Sequence, residues 1–177
     1  MSEYRRVWLD GSTVFFTVNC ATRGAGGLLT RNIDLLRAAF RKVKKDRPFY
    51  INAIVVLPDH LHCIWTLPEN DSNYSIRWRL IKGNFSRMLP AANEPLSPSR
   101  VKRGERAVWQ RRYWEHHLRD ERDYRNHIDY IHYNPVKHGY CKSPKDWKYS
   151  SFNRFVNAGL YCPDWCKDPS TITKVGE

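Results

Sequence analysis

Two histidines one residue apart, His60 and His62, are the first residues whose types and spacing could do chemistry. They open the run HLHCIWTL, which has the composition of a β-strand. In a strand, residues i and i+2 point to the same face, so both imidazoles can reach one cation while Leu61 faces the other way. A bare His-x-His arises often by chance, and taken alone it fits two half-exposed histidines at a strand end better than a metal pair. Further along, Tyr130 and Asn134 are four residues apart in a segment of helical character, which puts a phenol and an amide oxygen on one face. Two imidazoles and an amide oxygen leave positions open on a divalent ion, as a catalytic centre needs. A tyrosine beside such an ion can attack a phosphorus whose oxygen the ion holds. Each residue also has a plainer reading, Tyr130 as a core aromatic with its hydroxyl bonded and Asn134 as an ordinary residue at a helix end.

The elements that must position these residues follow from periodicity. Residues 13–20, TVFFTVNC, read as a strand, and a glycine-rich loop follows. From Thr30 as N-cap to residue 46, apolar residues recur at helical spacing while lysines and arginines cluster in the middle and last turns. Residues 50–57 and 60–67 form a hairpin turned by Pro58-Asp59, and 74–89 a second helix interrupted by Gly83. Residues 90–106 read as a loop without apolar period, 107–118 as a strand, and 120–133 as a helix that Asn134-Pro135 ends, because proline disfavours αR in the residue before it. Strand, helix, strand, strand, helix, strand is the ferredoxin-like split βαβ order. It predicts an α+β fold, one antiparallel sheet with helices on one face, plus an added helix carrying Tyr130. A catalytic unit over 1–156 and a tail over 157–177 are expected.

The chain has 177 residues, enough for one well-buried domain, and 24 aromatics supply its core. Thirty Lys and Arg against eighteen Asp and Glu leave a net charge of +12, so anions are the natural partners. Ten of these cations lie between Arg77 and Arg112 against only Glu94 and Glu105, a stretch able to track phosphates. Trp109, Tyr113 and Trp114 are interleaved there with Arg111 and Arg112, a mixture of π-faces and cations that suits unstacked bases; a solvated basic face over buried aromatics accounts for each residue equally well. No run approaches the roughly 20 apolar residues of a membrane span, and no secretory signal opens the chain, so a soluble cytoplasmic protein is expected. Five irregularly spaced cysteines argue against a disulfide framework, and Cys162 and Cys166 lack the second close pair a zinc site would use.

Three blocks, PDHLHCIW at 58–65, VWQRRYWEHHLRDERDY at 108–124 and IDYIHYNPVKHGY at 128–140, together resemble the REP-associated tyrosine transposases, within the single-tyrosine HUH endonucleases. The resemblance runs from about residue 4 to 155. It implies His60 and His62 as ligands of Mg²⁺ or Mn²⁺, Asn134 as third protein ligand, and Tyr130 as nucleophile ahead of Tyr124 and Tyr133. It implies metal-assisted cleavage and rejoining of single-stranded DNA in REP-type hairpins through a 5′-phosphotyrosine, in the cytoplasm at the nucleoid, by a monomer ahead of a homodimer. A phenol has a pKa of about 10, so the nucleophile needs help at neutral pH, for which His127 and Lys137 are candidates. Arg5, Arg6, Arg77, Lys82, Trp109, Arg111, Arg112 and Lys137 are expected to contact DNA. The rival readings are a catalytically idle DNA- or RNA-binding module of the same fold, and a metal-dependent phosphodiesterase that uses water.

Overall fold

The computed structural model describes residues 9–22, 24, 26–90, 98–104 and 106–165. Strands β1 (Thr13–Asn19), β2 (Tyr50–Val56), β3 (His60–Thr66) and β4 (Trp114–His117) form one antiparallel sheet in the order β2-β3-β1-β4, the order expected of the split βαβ plan. Strands β1 and β3 occupy the centre, and both read as near-continuous buried runs because helices cover both faces.

One face is covered by α2 (Ile33–Asp46) and α3 (Tyr74–Met88). Phe16, Cys63 and Trp65 point into this layer, where the Trp65 and Trp78 rings stack 4.3 Å apart. The other face is covered by α5 (Glu121–Lys137), against Phe15, Ala53, Val55 and Ile64. The helix carrying Tyr130 therefore packs across the sheet from the two βαβ helices. Period-2 alternation on β3 sends Leu61, Cys63 and Trp65 to one layer and His62 and Ile64 to the other.

Several boundaries differ from expectation for identifiable reasons. The first helix is broken into α1 (Leu28–Arg31) and α2 at Asn32, so Thr30 lies inside a helical turn and is no cap. Regular pairing in the fourth strand begins only at Trp114; upstream, Trp109 makes an isolated bridge to Cys20. A short helix, α4 (Pro98–Lys102), occupies part of the expected loop. Pro135 does not end α5, which runs to Lys137 and closes on Gly139 in the left-handed region, at φ 70°. Proline there removes one N–H, and burial of Ile131, Tyr133, Asn134 and Pro135 offsets the lost bond. Beyond α6 (Phe152–Asn157), Tyr161 packs on His132, Phe152 and Phe155, so aromatic packing continues past residue 156. Among the described residues, no helix is long and apolar enough to cross a membrane, and Cys20, Cys63, Cys141 and Cys162 are free thiols.

Candidate active site

The antiparallel register decides which groups surround the histidines. His62 lies opposite Thr17 on β1, and its Nδ1 is 2.9 Å from the Thr17 hydroxyl, which leaves Nε2 as the free end of the ring. That Nε2 is buried and has no hydrogen-bond partner among the described residues. Burial, reinforced by His60, His138 and Lys137, holds the His62 pKa well below the ordinary histidine value, so the ring is a neutral donor at physiological pH.

His60 stands at the start of the same strand, its ring centroid 5.1 Å from that of His62. Its Nδ1 is 2.7 Å from Asp59 Oδ1, and Asp59 Oδ2 accepts the Gly24 N–H at 2.7 Å. Burial alone would raise the Asp59 carboxyl; the Gly24 N–H and His60 outweigh it and hold it below the ordinary value. The carboxylate thus keeps the proton of His60 on Nδ1 and leaves Nε2 with its lone pair, the supporting arrangement that orients metal-binding imidazoles.

Helix α5 brings the remaining groups. Asp120 caps its N-terminus by accepting the Asp123 N–H, and acidic residues fill the first turn. The Tyr130 ring, only 3 % exposed, meets the His62 ring edge-on at 5.2 Å. One turn later Asn134 is fully buried, and both atoms of its side-chain amide lack a partner among the described residues. Unpaired buried polar atoms are costly; His62, whose Nε2 is one, has its ring beside that of Tyr130, and Asn134, whose amide supplies two more, lies one helical turn on from that tyrosine. Their types, an imidazole nitrogen and an amide oxygen beside the second imidazole of His60, are those a divalent ion would satisfy.

Lys137 Nζ lies 5.0 Å from the Tyr130 ring centroid, two turns along the helix. His127 faces elsewhere: its Nδ1 is 2.8 Å from the Asp123 carbonyl and its ring packs between Phe15 and His116. The Tyr124 hydroxyl accepts from the Asn52 amide at 3.3 Å. Asp59, Thr17 and His138, whose ring is 5.2 Å from that of His60, were not singled out by sequence reasoning. Asp59 was legible as the neighbour of the His-x-His, whereas Thr17 becomes visible only once the β1–β3 register is known.

The expected DNA-contact residues divide. Arg79, Lys82, Arg87, Arg100, Arg103, Arg106 and Arg111 line an open groove of about 630 Å³ that, among the described residues, contains no acidic side chain. Its far wall runs past the strand end that carries His60, since Gln110 N donates to the Asn19 carbonyl and Asn19 pairs with His60. Lys82 ties that wall to α3 by donating to the carbonyls of Gln110 and Arg111. Arg111 and Arg112 are exposed. Arg77 is a different case: it is 1 % exposed, pairs with Asp71 at 2.7 Å and donates to the carbonyls of Arg47, Pro48 and Asn73, so its guanidinium is consumed inside the protein. Trp109 lines the same groove but is 6 % exposed and packs on Phe85, which leaves little of its ring for a base. Arg5 and Arg6 lie outside the described residues.

Comparison with known proteins gives consistent matches. A REP-associated tyrosine transposase of Escherichia coli K12 is 51 % identical over 168 residues, 95 % of this chain and 93 % of the relative. A protein of the same family name from Haemophilus influenzae is 46 % identical over 174 residues, 98 % of each chain. A solved structure of a REP-associated tyrosine transposase bound to a REP hairpin superposes with a TM-score of 0.83 at 50 % identity, covering 100 % of this chain and 98 % of that one. No family model matches the chain.

Proposed function

Because this chain belongs to the REP-associated tyrosine transposases, which cut and transfer DNA strands, we propose that it cleaves and rejoins REP-type DNA hairpins through a 5′-phosphotyrosine on Tyr130. The single observation that carries this reading is the buried, unpartnered Nε2 of His62 beside the Tyr130 ring, with the unpartnered amide of Asn134 one helical turn on from that tyrosine. His60 Nε2, His62 Nε2 and Asn134 Oδ1 would hold Mg²⁺ or Mn²⁺, which draws charge from the scissile phosphate and helps align the leaving oxygen. The nitrogen donors make Mn²⁺ at least as good a fit as Mg²⁺.

Tyr130 Oη attacks phosphorus in line; the Oη–P bond forms, the P–O3′ bond breaks, and the 3′-oxygen leaves as a hydroxyl after taking a proton. Lys137, with its cation over the Tyr130 ring, favours the developing phenolate. The new ester conserves the energy of the broken one, so attack by a 3′-hydroxyl rejoins DNA and restores Tyr130. Asp59 and Thr17 fix the two imidazoles before substrate arrives. The basic groove, whose Gln110 bonds to the β1 residue paired with His60, suits the phosphates of the hairpin. On this reading one chain supplies both ligands and nucleophile and the protein acts as a monomer, in the cytoplasm at the nucleoid.

A labelled REP hairpin incubated with protein and Mn²⁺ tests the reading on a denaturing gel. A covalent protein–DNA band is expected in the wild type and lost in both Tyr130→Phe and His60→Ala, with hairpin affinity largely kept because phosphate contacts dominate it. Cleavage that survives Tyr130→Phe indicates water as nucleophile, and binding without any cleavage indicates an idle module; either overturns the proposal.

A further inference from the structure

We propose that His116, Asp123 and His127 form a second metal-ion site, suited to a transition ion of the zinc class and separate from the His60–His62 pair. His116 lies on the edge strand β4 opposite Phe15, on the face covered by α5. Asp123 is in the first turn of α5, and His127 one turn later. His116 Nε2 is 2.8 Å from Asp123 Oδ2, and His127 Nδ1 is 3.1 Å from Asp123 Oδ1. The two imidazoles are parallel, 4.9 Å apart with 12° between their planes, and one ligand atom from each of the three residues lies within 4.8 Å of the others.

These separations suit a shared cation. Ligand atoms bound to tetrahedral zinc at about 2.0–2.1 Å sit about 3.4 Å apart. Each imidazole is already that close to one oxygen of Asp123, and an ion would draw the two rings onto a shared centre in place of the bonds His116 makes to that carboxylate and His127 to the Asp123 carbonyl. The donor set, two imidazoles and one carboxylate, selects zinc, nickel or copper ions over magnesium or calcium, which prefer oxygen. The Asp123 carboxylate is steadied from outside the triad by the Arg119 N–H at 3.2 Å, and burial keeps the His127 pKa below the ordinary value, leaving a neutral ring. Side-chain exposures of 26 % for His116, 14 % for Asp123 and 6 % for His127 describe a site closed toward the core and open at the strand edge, where a water would complete the shell.

Phe15 stands between the two centres. Its ring centroid is 4.7 Å from that of His127, 5.7 Å from that of His62 and 6.1 Å from that of Tyr130. An ion at the triad would be separated from His62 and Tyr130 by the Phe15 ring. It would clamp the first two turns of α5 to β4, ending one turn before the tyrosine, and so position the helix that bears the nucleophile.

Calorimetric titration of the full chain with Zn²⁺, together with melting curves, tests this independently of cleavage. Two equivalents are expected in the wild type. In His60→Ala/His62→Gln one equivalent remains and still raises the melting temperature. Adding His116→Gln to that background weakens the remaining site at least about 100-fold, beyond the 10- to 100-fold that losing a supporting partner costs, and abolishes the melting shift. His127→Gln behaves the same way, and circular dichroism of each variant verifies the fold. If His60→Ala/His62→Gln binds no Zn²⁺, or binds one equivalent that neither His116→Gln nor His127→Gln weakens, the second site is refuted. Survival of both equivalents in His60→Ala/His62→Gln counts instead against the proposed active centre.

Discussion

Asp59→Asn isolates how the metal-binding geometry is set. In the wild type, Asp59 accepts on both sides: Oδ1 from His60 Nδ1 at 2.7 Å and Oδ2 from the Gly24 N–H at 2.7 Å. Asparagine has the same shape but only one acceptor atom. Its NH₂ must face either the Gly24 N–H or His60 Nδ1. The first is a donor–donor clash; the second is satisfied only if His60 moves its proton to Nε2, the atom required as ligand. Loss of such a supporting carboxylate costs about 10- to 100-fold in metal affinity, about 1.4–2.7 kcal/mol. In a cleavage assay titrated with Mn²⁺, the half-saturating concentration therefore rises by about that factor, while the rate at saturating Mn²⁺ returns to within a few fold of wild type. An unchanged metal requirement, or a loss that no Mn²⁺ concentration restores, refutes the argument that Asp59 acts through His60.

Other consequences follow from the same structure. Arg77→Ala removes a buried guanidinium bonded to Asp71 and three carbonyls and destabilises the fold by about 3 kcal/mol, the low end for a broken buried pair because Asp71 is partly exposed; urea denaturation measures it, and the salt dependence of hairpin binding stays unchanged. Replacing Arg79, Arg103 and Arg111 together by Ala lowers the slope of log affinity against log salt by about 2–3, at about 0.7–0.9 for each phosphate that is no longer neutralised; an unaltered slope places the DNA elsewhere. Burial pushes the pKa of His132 down to about 3. An unfolded histidine titrates near 6.5, so the unfolded chain binds the extra proton between these values. The stabilisation is complete above about pH 6.5 and falls with decreasing pH by up to about 1.4 kcal/mol per pH unit until about pH 3. His132→Gln flattens that slope in urea titrations at pH 6 and pH 4; an identical slope contradicts the assignment.

The order of strands and helices was legible because it rests on local periodicity, which survives into the fold, and so was the placing of His60 with His62 on one strand and of Tyr130 with Asn134 on one helix. The roles expected of them came from the family resemblance. What sequence reasoning missed depends on long-range geometry. Pro135 argued for a helix end at Asn134, but burial of that turn outweighs one missing N–H, and the helix continues. Arg77 counted as a phosphate contact because composition cannot distinguish a solvated guanidinium from one turned inward onto Asp71 and three carbonyls. Trp109 likewise reads as a stacking platform until Phe85 is found against it. Thr17 is 45 residues from His62, and nothing short of the strand register joins them.

The most direct measurement is the site of covalent attachment. After reaction with a REP hairpin and Mn²⁺, nuclease trimming and trypsin digestion, the residues 126–137 peptide holds both Tyr130 and Tyr133, and fragmentation separates them. The nucleotide is predicted on Tyr130 alone. A nucleotide on Tyr133, or on Tyr124 in another peptide, contradicts the assignment of the nucleophile and with it the centre built around His62 and Asn134.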